Sequence, residues 1–332
     1  MNKLLVFLLS KSLIAFGIVL AVAYSAACVF LFVAQGKFIF FPARAIETTP
    51  DDFELKYQDV WLPIPTKTGA VDSVHGWWIP ASETPPKVPG EVRKAVPVHP
   101  SETPLTPPLN KGGLGGVPVH PLNKGGLGGV VLYLHGNASN VGANVEHAYR
   151  FHRLGLSVFV MDYRGYGKSQ GDFPTESQVY EDAQLAWDYL VKQRGINPNQ
   201  IYIYGHSLGG AIAIDLAVRH PEVAGLIVEG SFTSTRAMVE FQKGLFWMFP
   251  IDFLLTQRFD SLSKVDRLQM PVLFIHGTAD NVVPVEMSKK MFEAAPEPKQ
   301  LYIVPDGGHT NVAHIGGAEY LQILSQFLGS SK

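Results

Sequence analysis

Ile201-Tyr202-Ile203-Tyr204-Gly205-His206-Ser207-Leu208-Gly209-Gly210 runs from a short β-branched and aromatic stretch into a segment, 211–219, with helical spacing. The centre of this stretch, Gly205-His206-Ser207-Leu208-Gly209, is a Gly-x-Ser-x-Gly pattern in the strand–turn–helix context that exposes a serine at the top of an α/β sheet. Glycines two positions before and after the serine are needed because so sharp a turn leaves no room for side chains there. A Gly-rich helix start also suits a phosphate, but Gly205-x-x-x-Gly209-Gly210 does not have the dinucleotide-binding spacing.

Outward from this turn, further short apolar runs read as strands at 130–135, 157–162, 201–206, 225–229, 271–276 and 300–304. Each is apolar almost throughout, as parallel strands covered on both faces should be. Segments 176–193 and 208–219 carry helical periodicity between them. Ahead of them, 56–62 and 74–79 look like a hairpin of outer strands. The expectation is an α/β fold: a mostly parallel, eight-stranded sheet flanked by helices.

The other chemistry-bearing residues fall at later strand ends. The strand 271–276 runs into Gly277-Thr278-Ala279-Asp280, and the last strand runs into Pro305-Asp306-Gly307-Gly308-His309. Serine, acid and histidine thus follow in the order Ser207, Asp280, His309. A serine hydroxyl is a poor nucleophile at neutral pH. A neutral imidazole can take its proton, and a buried carboxylate fixes the imidazole tautomer and stabilises the imidazolium. Asp306 is the rival acid; three residues from His309, it reads more simply as a turn residue. The first parallel strand leads into His135-Gly136-Asn137-Ala138, so the backbone N–H groups of Asn137 and Leu208 are the expected oxyanion donors.

Four motifs carry a family resemblance: His135-Gly136-Asn137-Ala138, Asp162-Tyr163-Arg164-Gly165-Tyr166-Gly167-Lys168-Ser169, the serine turn, and Asp280 with His309. From about residue 38 to 329, interrupted by an insert, the chain resembles α/β-hydrolases of the serine aminopeptidase and lysophospholipase-type group. In particular it resembles the single-pass membrane-anchored subfamily that includes acyl-protein thioesterases and lysophospholipid lipases. The resemblance implies the α/β-hydrolase fold and a serine triad, and makes 162–169 a structural turn beside the active site. That stretch mimics a phosphate-binding loop ending in Gly-Lys-Ser, but aspartate stands at 162 where glycine would be required.

Composition bounds the remaining possibilities. Of 332 residues, 46% are hydrophobic and 17% charged, enough apolar content for a sizeable core, so disorder throughout is excluded. With 27 basic against 29 acidic residues there is no positive surplus for a nucleic acid to neutralise. The single cysteine, Cys28, permits neither an internal disulfide nor a cysteine zinc site. No metal or cofactor is expected: His147 with His152, and His309 with His314, are five apart, off the helical face that metal pairs use.

Two segments stand apart from this domain. Residues 12–34 form 23 uncharged, mostly apolar residues, long enough for a membrane helix. A cleaved signal peptide after Ser25-Ala26-Ala27 competes with this reading, but the apolar run continues through Val33. Lys3 and Lys11 on one side are nearly balanced by Lys37 and Arg44 on the other, which leaves orientation open. Residues 82–129 hold 10 of the 24 prolines and 9 of the 32 glycines, and repeat Pro-Leu-Asn-Lys-Gly-Gly-Leu-Gly-Gly at 108–116 and 121–129. Two short copies cannot build a solenoid, so the segment reads as a disordered insert between the second and third strands. His99 and His120 occupy matching repeat copies and are not read as ligands.

The expected organisation is an anchor over 1–37, outer strands over 38–81, the insert over 82–129, and the main hydrolase domain over 130–332 with a lid at about 235–266. The lid segment carries Met238, Phe241, Phe246, Trp247, Phe249, Ile251 and Phe253, either lid core or an apolar acyl-chain site. The functional expectation is a membrane-anchored serine hydrolase of ester or thioester bonds, acting on a small-molecule, lipid or acylated substrate. An idle hydrolase fold used as a binding module stays open, as do peptidase and acyltransferase chemistry on the same triad.

Overall fold

The computed structural model describes residues 3–65, 69, 71–82, 128–242 and 244–330. The repetitive insert therefore lies, from 83 to 127, outside the described residues, with His99 and His120. Eight strands form one sheet in the order β1-β2-β4-β3-β5-β6-β7-β8. They are β1 Gln58–Pro65, β2 Val71–Ile79, β3 Val130–Leu134, β4 Ser157–Met161, β5 Ile201–His206, β6 Gly225–Glu229, β7 Val272–Gly277 and β8 Lys299–Val304. β2 runs antiparallel to β1 and β4, and all other pairs are parallel.

Strand periodicity explains why the central strands are apolar almost throughout. Val130, Leu132 and Leu134 of β3 join one buried cluster, while Val131 and Tyr133 join the other. Successive side chains point to opposite faces. One face packs against α3 (Glu176–Asp188), α4 (Leu208–Arg219) and α7 (Val285–Ala294). The other packs against α2 (Val145–Arg153) and α8 (Val312–Ser330). The helix expected over 176–193 departs from regular form at its end. From Tyr189 it widens into a π turn in which Arg194 N–H reaches the Tyr189 carbonyl, just before Gly195 reverses the chain at φ 69°.

Helix α1, Lys3–Ile39, is longer than the apolar run 12–34 because hydrogen bonding continues through its last turns to Phe40 N–H and Gly36 O. Its stretch Leu9–Ile39, mean hydropathy 2.5, is long and apolar enough to cross a membrane. Between β6 and β7 the segment 235–266 holds the short α-helices α5 Thr235–Phe241 and α6 Ile251–Leu254, with 3-10 turns at Leu245–Met248 and Val265–Arg267.

Candidate active site

The carboxyl ends of β3, β5, β6, β7 and β8 lie side by side, so loops far apart in sequence converge at one edge of the sheet. At the end of β5, Ser207 takes φ 54° and ψ −118°, a strained conformation for a residue with a side chain. Neighbours hold it there: its N–H donates to Glu229 O at 2.9 Å, and its carbonyl accepts from Gly210 N–H at 3.0 Å and the Ser231 hydroxyl at 2.8 Å. A Cβ on Gly205 would strike the Gly209 carbonyl, and one on Gly209 would strike Leu134 O. The two glycines are thus required by close backbone approach.

The structure brings Ser207, His309 and Asp280 together. Ser207 Oγ lies 3.0 Å from His309 Nε2, and His309 Nδ1 lies 2.8 Å from Asp280 Oδ2. Asp306, the rival acid, sits in a turn at φ 58° with its N–H on the Thr278 hydroxyl. Asp280 is tied on every side: Oδ1 accepts from the N–H groups of Val282 and Val283 at 2.9 and 2.8 Å, and Oδ2 also faces His276 Nε2 at 3.1 Å. Burial alone would raise this carboxyl. Hydrogen bonds from His276 and His309 outweigh burial and hold it well below the usual carboxylate range. An acid so held stays ionised and keeps Nδ1 of the imidazole protonated, leaving Nε2 to accept the serine proton.

Two histidines support the site that sequence reasoning did not single out. His276, buried at the end of β7, bonds Ser288 Oγ through Nδ1 at 2.7 Å and braces Asp280 through Nε2. His206, beside the serine, donates from Nε2 to the His309 carbonyl at 2.9 Å. Burial, with the nearby His309 imidazole, pushes His206 down to about 4, so it is neutral at physiological pH. The only sequence signal for either was a histidine at a strand end.

The loop after β3 carries the other expected site residues. Leu208 is the first residue of α4, so its N–H has no intrahelical partner, and among the described residues the Asn137 N–H enters no turn or loop hydrogen bond. The Asn137 side chain is fully engaged: Oδ1 accepts from Phe41 N–H and the Tyr166 hydroxyl, both at 2.8 Å, and Nδ2 donates to Ile39 O. Behind this loop, His135 Nε2 lies 3.4 Å from Asp162 Oδ1, in the turn 162–169. Asp162 also accepts from Val141 N–H at 2.8 Å, and the Tyr163 hydroxyl donates to His135 O at 3.0 Å. Gly167 sits so close to the Asp162 carboxylate that no side chain fits there. Among the described residues no three His, Cys, Asp or Glu side chains cluster as a metal site.

Comparison with known proteins bears on the family and the fold. The family model of serine aminopeptidase S33 matches residues 127–256 and 251–313. An uncharacterised protein of Mycobacterium tuberculosis is 36% identical over 198 residues, which are 60% of this chain and 69% of that protein. Human α/β hydrolase domain-containing protein 17B is 35% identical over 60% of this chain and 65% of its own length. Protein bem46 of Schizosaccharomyces pombe is 32% identical over 60% and 67%. Among solved structures, an esterase of Pyrococcus furiosus superposes with a TM-score of 0.61 at 18% identity, covering 87% of this chain and 98% of that one. An α/β hydrolase of Vibrio vulnificus gives 0.51 at 27% identity over 59% and 73%. With the serine turn on an eight-stranded α/β sheet and more than half its length matched by the family model, the chain belongs to the serine aminopeptidase S33 family of α/β hydrolases.

Proposed function

We propose that this hydrolase is a membrane-anchored serine enzyme that cleaves carboxylic ester or thioester bonds of apolar acyl groups. The observation that carries this reading is the unbroken chain from Ser207 Oγ to His309 Nε2 at 3.0 Å and from His309 Nδ1 to Asp280 Oδ2 at 2.8 Å.

In this reading Ser207 Oγ attacks the acyl carbonyl carbon while its proton passes to His309 Nε2. Asp280, held ionised, stabilises the imidazolium. The negative charge that develops on the carbonyl oxygen meets the N–H groups of Asn137 and Leu208. As the tetrahedral adduct collapses, the bond to the alcohol or thiol breaks and His309 gives that leaving group its proton, which leaves the acyl group on Ser207. Water then loses a proton to His309, attacks the acyl carbon, and frees the acid and the serine.

Anchoring through α1 is supported by the apolar stretch Leu9–Ile39, and an acyl substrate by the apolar segment 235–266, which serves as a lid over the serine. The anchor then occupies 1–37, the outer strands 38–81, and the main domain 130–332. The test is labelling of membranes with a fluorophosphonate, wild type against Ser207→Ala. A band lost only in the variant supports an activated serine. Equal labelling of both proteins, or none of folded wild type, overturns the reading.

A further inference from the structure

The C-terminal turns of α1 do not end as a free anchor. They form one wall of an apolar cavity of about 210 Å³ whose other wall is the segment 235–255. Leu31, Phe38 and Ile39 line it from α1, with Val239, Leu254 and Phe232 also in the lining. Polar groups in the lining are few and none is charged. The volume is below the range of about 300–1,000 Å³ usual for compact drug-sized ligands, and suits a slender chain better.

The two walls are clasped together. Gln35 Oε1 accepts from Thr256 N–H at 2.8 Å and Gln257 N–H at 3.1 Å, while Nε2 donates to Phe32 O at 2.7 Å and Leu254 O at 3.2 Å. One buried amide therefore sets the spacing between anchor and lid. About three turns further out along α1, the Tyr24 hydroxyl donates to Met248 O at 2.8 Å, and the Tyr24 ring stacks on Phe249 with centroids 5.5 Å apart.

The cavity also adjoins the reacting groups through the chain. Phe232 follows Ser231, whose hydroxyl holds the Ser207 carbonyl. Ile39 is bonded to Asn137 through its carbonyl. On the outer side, α1 with 37 residues is about 55 Å long at 1.5 Å per residue, against a hydrocarbon layer of about 30 Å. The helix is thus longer than a single span requires, and its last turns line the cavity. Phe253, 85% exposed, with Phe241 and Phe38 about half exposed, adds exposed apolar surface on α6, α5 and α1.

We infer that this cavity binds the acyl chain of an ester or thioester resident in the bilayer, which enters between α1 and the lid without crossing water. The inference rests on the serine-hydrolase reading of Ser207 and assigns α1 a second role, as a wall of the substrate site. Each methylene buried there raises kcat/KM about fourfold until the cavity is full.

The test uses the full-length protein in phosphatidylcholine vesicles with a long-chain alkyl fluorophosphonate bearing a diazirine at the far end of the chain. After irradiation and digestion, the expected result is an adduct on Ser207 with crosslinks both to 31–39 and to 238–255. An adduct on Ser207 whose crosslinks never reach α1 overturns this inference and leaves the hydrolase reading standing. Absence of any Ser207 adduct in folded protein overturns both. A second measurement needs no crosslink: Leu31→Trp and Val239→Trp should each lower the ratio of kcat/KM for a dodecanoyl over a butanoyl p-nitrophenyl ester about tenfold. An unchanged ratio in both variants overturns the assignment of the cavity.

Discussion

The backbone N–H of Phe41 donates to Oδ1 of Asn137 at 2.8 Å, joining residues 96 apart at the point where α1 meets the loop after β3. The Tyr166 hydroxyl shares the same oxygen at 2.8 Å. The proposed oxyanion donor at 137 is thereby held by the segment that leaves α1. Replacing Asn137 by Ala orphans both donors and frees the loop. The expected outcome is a fall in kcat of about 10- to 100-fold with little change in KM, since about 1–3 kcal/mol of positioning is removed from groups used mainly in the transition state. Tyr166→Phe, which removes one donor, should cost less. Steady-state kinetics on a soluble short-chain ester checks both.

Asp280→Asn keeps the shape of the acid but removes its charge and reverses the tautomer preference of His309. Activity should fall by about 10⁴-fold, measured as kcat. The same variant tests pH-dependent stability. The Asp280 carboxyl is held below its ordinary value in the fold, so its stabilising effect is complete above about pH 4 and is lost as pH falls through the depressed folded value. Thermal melts of wild type and variant should therefore differ at neutral pH by about 2 kcal/mol, the order of one charge-assisted hydrogen bond, and converge only in strong acid.

His206 titrates with the same sign but at higher pH, because it is the neutral imidazole that the fold favours. Its folded value of about 4 lies below the 6.5 of an ordinary histidine, so the unfolded chain binds the extra proton first. Stability should fall as pH drops from about 7 toward 4, on the order of 3 kcal/mol from this group. His206→Gln, which keeps a donor toward the His309 carbonyl, should flatten that slope in denaturant titrations at a series of pH values.

Gly209→Ala should fail for a steric reason alone. The added methyl collides with the carbonyl oxygens of Leu134 and His135, both backbone atoms that cannot rotate away. A loss of about 3 kcal/mol or more is expected, visible as a large drop in melting temperature or as insoluble protein. Gly195→Ala is the control: its site is open, and only its φ of 69° opposes the change.

Local pattern was enough to read the sheet in this chain. Strands buried on both faces are apolar almost throughout, so 130–134, 201–206 and 225–229 stand out from the helices between them, and a serine between glycines at a strand end marks the turn. The order Ser207, Asp280, His309 pointed to three loops, and the acid next to His309 in space is Asp280 and not its sequence neighbour Asp306. Tertiary structure alone decided which groups brace them. Nothing near His276 says that its ring will support Asp280, and nothing near Gln35 says that its amide will accept from residues 221 and 222 positions away. Periodicity records which face of an element avoids water; it carries no information about a single directional hydrogen bond between elements. Those bonds exist only after the sheet has brought its strand ends together, and they join α1, the loop after β3 and the segment 235–266 around one serine.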